Sequence, residues 1–124
     1  MIRFIDRYFS STDSRGSITG IVNIGEWREI NLVRSDGGIV RGNHYHETTE
    51  EGFFILQGKI DIVLHKVFNG KVIGEKIFKQ VAAGQVFIIE PMTLHDFHVS
   101  ETSVWINFLS NAMDQSNPDI HRLL

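Results

Sequence analysis

The stretch GIVRGNHYHETTEEGFFILQG, from Gly38 to Gly58, sets His44, His46 and Glu51 at offsets that let a β-hairpin aim two imidazoles and one carboxylate at a single point. Residues two apart on a strand leave by the same face, so His44 and His46 are neighbours at about 7 Å, within reach of one ion. Glu51 returns on the next strand with the parity of Phe53 and Ile55, while Glu50 is expected to face solvent. A later run, GQVFIIEPMTLHDF from Gly84 onward, supplies His95 as a fourth group. Three imidazole nitrogens and one carboxylate oxygen suit a divalent zinc, manganese, iron, nickel, cobalt or copper ion. In a six-coordinate shell, four such ligands leave two positions for water or substrate.

Outward from this stretch the dominant period is two, in short runs separated by turn residues, which reads as an all-β sandwich or barrel. The expected strands are 17–23, 27–33, 38–42, 52–57, 59–68, 71–81, 86–89, 94–99 and 103–109. Asn69-Gly70 stands between the alternating segments DIVLHKVF and KVIGEKIF and predicts a two-residue type I′ hairpin. The last segment, SNAMDQSNPDIHRLL, is polar and turn-rich, and predicts an extended arm or a short helical turn. His98 falls on the face opposite His95, His65 alternates away from Ile60, Ile62 and Leu64, and His121 lies in the tail. All three take structural roles in this reading.

The 124 residues are expected to form one domain, and a hydrophobic share of 42% with 22% charged residues is ordinary for a globular chain. No apolar run approaches the ~18 residues of a membrane-spanning helix, so no membrane role is expected. The opening residues MIRFIDRYFSSTDSRG lack the apolar core and cleavage site of a signal peptide, and there is no cysteine. Both point to a reducing, cytoplasmic setting without disulfides or thiolate chemistry. Twelve basic against fifteen acidic residues, with no cationic cluster, argue against nucleic acid as a partner.

The pattern G-x5-HxH-x4-E-x6-G is met by Gly38, His44, His46, Glu51 and Gly58. A second pattern, G-x5-P-x-G-x2-H, keeps its spacing through Gly84 and His95, with Glu90, Met92 and Val99 where proline, glycine and a later asparagine are usual. Together they resemble the two modules of the cupin superfamily, which implies a double-stranded β-helix, or jelly-roll barrel. Asp13, Arg15 and Gly16 in DSRG, Asn31, Arg34 and Ser35 in INLVRS, then VRGNHYH and LHDFHVSE, are similar to stretches of the deoxysugar-nucleotide epimerases of the rhamnose pathway. Among cupins, the chain looks most like small stand-alone members of surface-polysaccharide biosynthesis.

That resemblance implies a nucleotide-linked keto-deoxysugar as substrate, His44 as the base beside the sugar ketone, and a homodimer that exchanges N-terminal strands. It makes Arg15 and Arg41 candidates for the diphosphate, with Arg34 beside Arg41 as a further substrate-binding residue, because a planar guanidinium matches phosphate oxygens. Two departures stand out. The epimerases carry glutamine where this chain has His46, and a tyrosine acid where this chain reads NFLSNAMDQ; its only tyrosines are Tyr8 and Tyr45. A metal-dependent dioxygenase of a small molecule and a non-catalytic sugar- or metal-binding module therefore remain open beside the epimerase or isomerase.

Overall fold

Residues 1–124 are described by a computed structural model containing eleven strands and no helix. In chain order the strands are β1 (Ile2–Phe4), β2 (Ser10–Asp13), β3 (Gly16–Thr19), β4 (Glu29–Ser35), β5 (Ile39–His44) and β6 (Glu51–Gln57). They continue with β7 (Lys59–Phe68), β8 (Lys71–Ala82), β9 (Val86–Ile89), β10 (Thr93–Val99) and β11 (Ser103–Leu109). A five-stranded sheet, β1-β9-β6-β11-β4, faces a four-stranded sheet, β5-β10-β7-β8, and every paired register is antiparallel. No helix is long and apolar enough to cross a membrane.

Period-two alternation drives this arrangement, because each strand turns one apolar row toward the opposing sheet. Ile60, Ile62 and Leu64 of β7, Phe97 and Val99 of β10, Phe53 and Ile55 of β6, Phe87 and Ile89 of β9 and Trp105 of β11 form one buried cluster with Val81. Phe53 and Phe87 stack with ring centroids 5.1 Å apart. A smaller cluster of Tyr45, Val67 and Leu94 packs with Met92 near the candidate ligands. Strand β8 is an exposed edge, and Lys71, Glu75, Lys76 and Lys79 spread charge along it, which discourages edge-to-edge pairing with other chains.

The Asn69-Gly70 turn forms as expected, with φ of 51° and 74° at its two residues, the paired positive values of a type I′ hairpin. Two strands escaped the sequence reading. β1 has only three residues, and β2, Ser-Ser-Thr-Asp, has no apolar alternation to betray it. The first expected strand, 17–23, is shorter in the structure and ends at Thr19, pairing with β2 rather than with the main sheets. The tail contains no helix; it is an irregular arm that bends at 115–117, where the Asn117 N–H bonds the Asp114 carbonyl, and His121 forms a bridge with Tyr45.

The hairpin expected to carry the two histidines and Glu51 is also corrected. β5 pairs with β10, and β6 pairs with β9 and β11, so the two strands belong to opposite sheets. The ligand set is gathered across the sandwich instead of across a turn. Gly42 makes this possible on the β5 side: it sits at φ +103°, and a Cβ there would stand 2.5 Å from the main-chain oxygen of His95. The β5–β10 register shifts between His95 and Asp96 beside this glycine and then pairs His95 with His44. Gly42→Ala is expected to cost at least about 2 kcal/mol in chemical denaturation, since it combines left-handed strain with overpacking against backbone. A loss below about 0.5 kcal/mol would contradict this account of the bulge.

Candidate metal centre

His44 closes β5, His46 follows Tyr45 in the connecting loop, Glu51 opens β6, and His95 sits third in β10. Their four donor atoms lie within 4.8 Å of one another. The four residues chosen as metal ligands from sequence are thus brought together, and His44, also named as a candidate base, borders the cavity described below. Glu51 is the hub: Nε2 of His46 lies 2.9 Å and Nε2 of His95 3.4 Å from its Oε1, and Nδ2 of Asn107 donates to its Oε2. The imidazole of His44 makes no hydrogen bond to another side chain. It stands edge-on to the other two rings, 5.2 Å from His46 and 4.8 Å from His95, centroid to centroid.

Asn107 was not among the residues singled out from sequence. An amide at an inward position of the apolar strand SVWINFL, in step with Trp105, was the available signal. Its Oδ1 accepts from Nδ2 of Asn31 at 3.1 Å; Asn31 also donates to Glu29 at 2.9 Å, and Glu29 accepts from the main-chain N–H of Met113 at 2.8 Å. A polar chain therefore crosses the five-stranded sheet and ends on Glu51. It leaves that carboxylate facing the imidazoles.

The His46 ring has acceptors on both sides, with Nδ1 on the main-chain oxygen of Asp119 and Nε2 on the carboxylate of Glu51. Both contacts require a proton. Burial works against the charge, but the hydrogen bond and charge of Glu51 outweigh it and raise the His46 pKa above 6.5. Glu51 is buried too, yet the hydrogen bonds from His46 and His95 hold its carboxyl well below the usual carboxylate range. His44 goes the other way: burial and the neighbouring His95 push it down to about 4, so its ring is neutral at physiological pH.

A cavity of about 220 Å³ opens beside His44, Glu51 and His95. Phe53, Phe97, Trp105 and Val33 make its apolar wall, and Arg41 and Asn107 add polar groups. The Arg41 guanidinium is held by Ser35 Oγ at 3.0 Å and by the carbonyl of Arg34 at 3.5 Å. The other two arginines expected to bind substrate do not line this cavity. Arg34 alternates to the exposed face of β4, with Ile30 and Leu32. Arg15 sits at the tip of the β2–β3 hairpin, paired with Asp13 at 2.7 Å, because the DSRG turn projects from the sandwich. Of the histidines given structural roles, His98 is exposed and His65 half-buried. His121 is drawn against the ligand loop, with Nε2 2.8 Å from Asp119.

Two facing antiparallel sheets with this ligand set inside define a cupin jelly roll carrying a candidate metal centre. The chain belongs to the polysaccharide biosynthesis C-terminal domain family, whose model matches residues 11–121. No curated protein matches it. Among solved structures it is similar to the capsular polysaccharide assembling protein CapF of Staphylococcus aureus, at 26% identity and TM-score 0.69, over 93% of this chain and 34% of that one. The chain thus spans about a third of the length of CapF, which is also known with the inhibitor 3-isopropenyl-tropolone. A mutant of the 3,4-ketoisomerase QdtA of Thermoanaerobacterium thermosaccharolyticum, in complex with TDP-4-keto-6-deoxyglucose, shares the fold at 18% identity and TM-score 0.73, over 98% of this chain and 86% of that one. So does the dTDP-4-dehydrorhamnose 3,5-epimerase of Sulfolobus tokodaii, at 20% identity and TM-score 0.72, over 93% and 78%.

The titrations set a stability profile for the metal-free protein. His46 binds its proton more tightly folded than unfolded, so its contribution is full below pH 6.5 and is lost as pH rises through its folded value. His44 opposes it: the unfolded chain takes a proton near 6.5 and the folded protein only near 4, so stability falls on acidification across that interval. Glu51 and Asp119, both depressed, withdraw stability as pH falls below about 4.5 and 3.8. Thermal melts in chelator are expected to peak near pH 6.5. A melting temperature that climbs steadily from pH 6.5 to 8 would contradict the His46 assignment.

Proposed function

We propose that the chain binds a divalent metal ion and isomerises a nucleotide-linked keto-deoxysugar in surface-polysaccharide biosynthesis. The observation that carries this reading is the convergence of three imidazoles and a carboxylate beside a ring-sized cavity with Arg41 on its wall. Family membership and the named activities of QdtA and of the Sulfolobus tokodaii epimerase support it. A soluble enzyme of the cytoplasm, where nucleotide sugars are made, fits the cysteine-free chain.

A bound cation at this site supplies Lewis-acid polarisation of the sugar ketone and stabilises the enolate charge. The chain supplies the rest. His46, Glu51 and His95 are already knitted together, and two imidazoles with one carboxylate suffice to hold an ion. His44, neutral and outside that hydrogen-bonded set, then serves as the base that takes the proton beside the carbonyl. With all four as ligands, His44 would have no free nitrogen for this work. Arg41 offers its remaining N–H groups to the diphosphate.

No tyrosine lines the cavity, and His44 is its one base outside that ligand trio. Epimerisation by proton transfer needs a donor on the opposite face of the ring, whereas a single base can carry a proton between adjacent carbons. The isomerase is therefore favoured over the epimerase. A tropolone, with adjacent carbonyl and hydroxyl oxygens, is expected to compete for the open coordination positions of the loaded protein.

The zinc- or manganese-loaded protein, incubated in D2O with TDP-4-keto-6-deoxyglucose and related keto-sugar nucleotides, is expected to place deuterium on a ring carbon next to the ketone. His44→Asn should keep its metal and lose this exchange by 10²–10⁴-fold. No exchange into any of these sugars with a loaded protein would leave the non-catalytic binding module, and oxygen consumption with bound iron would leave the dioxygenase.

We further propose a homodimer. The β2–β3 hairpin pairs with no other strand, and β4 leaves one edge of its sheet open with Ile30 and Leu32 each 69% exposed. A two-stranded ribbon is marginal alone, and a second copy supplies both the missing strand and the apolar cover. Light scattering should give twice the 14.2 kDa of one chain, and Leu32→Lys should shift the mass toward monomer. A monomeric wild type would refute the dimer.

A further inference from the structure

The segment Tyr45–Glu50 crosses from one sheet to the other and carries His46 just beyond the end of β5. It has no strand partner of its own apart from the bridge of Tyr45 with His121. Three successive amides, those of Glu47, Thr48 and Thr49, point at one carboxylate. Asp119 Oδ1 accepts from the Glu47 N–H at 2.9 Å, and Oδ2 accepts from the Thr48 and Thr49 N–H groups at 3.0 Å each. The hydroxyls of Thr48 and Thr49 add bonds to Oδ2 of 3.1 and 2.8 Å. Such a row of amides is an anion nest, filled here by a side chain about seventy residues away.

The same residue reaches the candidate metal centre through its backbone. The main-chain oxygen of Asp119 accepts from Nδ1 of His46. A carbonyl oxygen has no proton to give, so this contact requires hydrogen on Nδ1 and leaves the Nε2 lone pair as the one available to a cation. The carboxylate sets where the carbonyl sits, and the carbonyl sets which way the ring faces. Backbone bonds from the Met92 N–H to the His46 oxygen at 2.7 Å, and from the Ser110 N–H to the Glu50 oxygen at 3.0 Å, secure the flanks but touch neither the ring nor the three amides.

We propose that Asp119 is a positioning residue for the metal centre, a strap from the C-terminal segment that clamps loop 46–49 and orients the His46 imidazole. The inference rests on the reading of His46 as a ligand. Nothing in the reaction chemistry uses Asp119 directly. Its part is to hold a ligand that lies outside any strand as firmly as those that lie within one.

Zinc affinity, measured by competition with a chromogenic chelator on the full chain, is expected to weaken 10–100-fold in Asp119→Ala. Asp119→Asn keeps one acceptor oxygen and should recover part of that loss; it is also the variant to use if alanine unfolds the protein. Asp114→Ala removes a tail carboxylate that accepts from the N–H and hydroxyl of Ser116 and makes no hydrogen bond to the His46 loop, and should match wild type within twofold. A role confined to stability would lower the melting temperature of folded Asp119 variants and leave their zinc affinity unchanged, which overturns the proposal. If the wild type takes up no ion, the metal reading fails, and ring ¹⁵N spectra of the metal-free protein decide the remainder. A protonated Nδ1 on His46 whose signal shifts in the Asp119 variants supports the strap, and identical ring signals refute it.

Discussion

A carboxylate in the interior must be compensated, and the construction of this protein around Glu51 follows from that requirement. An unpaired charge at such depth would cost several kcal/mol, more than most single contacts can return. Three polar groups answer it from different directions: His46 from the connecting loop, His95 from β10, and Asn107 from β11, itself held by Asn31 of β4. Because the donors come from both sheets, the sheets must sit at the spacing that lets all of them reach. The apolar cluster of Phe53, Phe87, Phe97 and Trp105 supplies cohesion. Glu51 supplies a reason for one particular alignment.

That compensation is also what makes the site convertible. In the metal-free protein the positive charge opposite Glu51 is a proton on His46, placed between two acceptors. A cation in the same space would satisfy the carboxylate equally, and Nε2 could turn its lone pair toward it once that proton leaves. A proton and a cation would thus compete for the same Nε2 lone pair, while the Nδ1 contact would stay the same in either case. Burial lowers the proton affinity of both rings; at His46 the hydrogen bond and charge of Glu51 outweigh it, whereas His44 makes no side-chain hydrogen bond to Glu51, and burial with the neighbouring His95 prevails.

How much of this was legible depended on whether local pattern or distant contact decided the outcome. The strands from β4 to β11 announce themselves through alternation, and the Asn69-Gly70 turn through its chemistry. The four convergent side chains were readable because cupin spacing sets them at fixed offsets. The geometry by which they meet was not: the apparent hairpin is two strands in opposite sheets, and only the register of β5 against β10 reveals it. Met92 takes φ +59° where the motif usually has glycine, so the turn survives a residue change that pattern matching counts against it. Asn107 and Asp119 were missed because each acts through partners far away in sequence: the inward amide of Asn107 in an apolar strand signals that a partner is needed but not which one, and an aspartate in a tail carries no local signature.

The division of the cavity between chemistry and recognition follows from size. About 220 Å³ would accommodate a sugar ring against Trp105 and Phe97, and the nucleotide of the proposed substrate would extend beyond it. Arg41 marks the direction, tethered by Ser35 so that part of its donor fork remains for an incoming anion. Arg15 and Arg34 reach no cavity of their own ligand set, yet they lie on the hairpin and edge strand that a single copy leaves uncovered. Within one chain they are ordinary surface charges. They would contact the same substrate as Arg41 only if the proposed dimer carried the hairpin of one copy to the barrel mouth of another, and substrate recognition and dimerisation would then be one structural question.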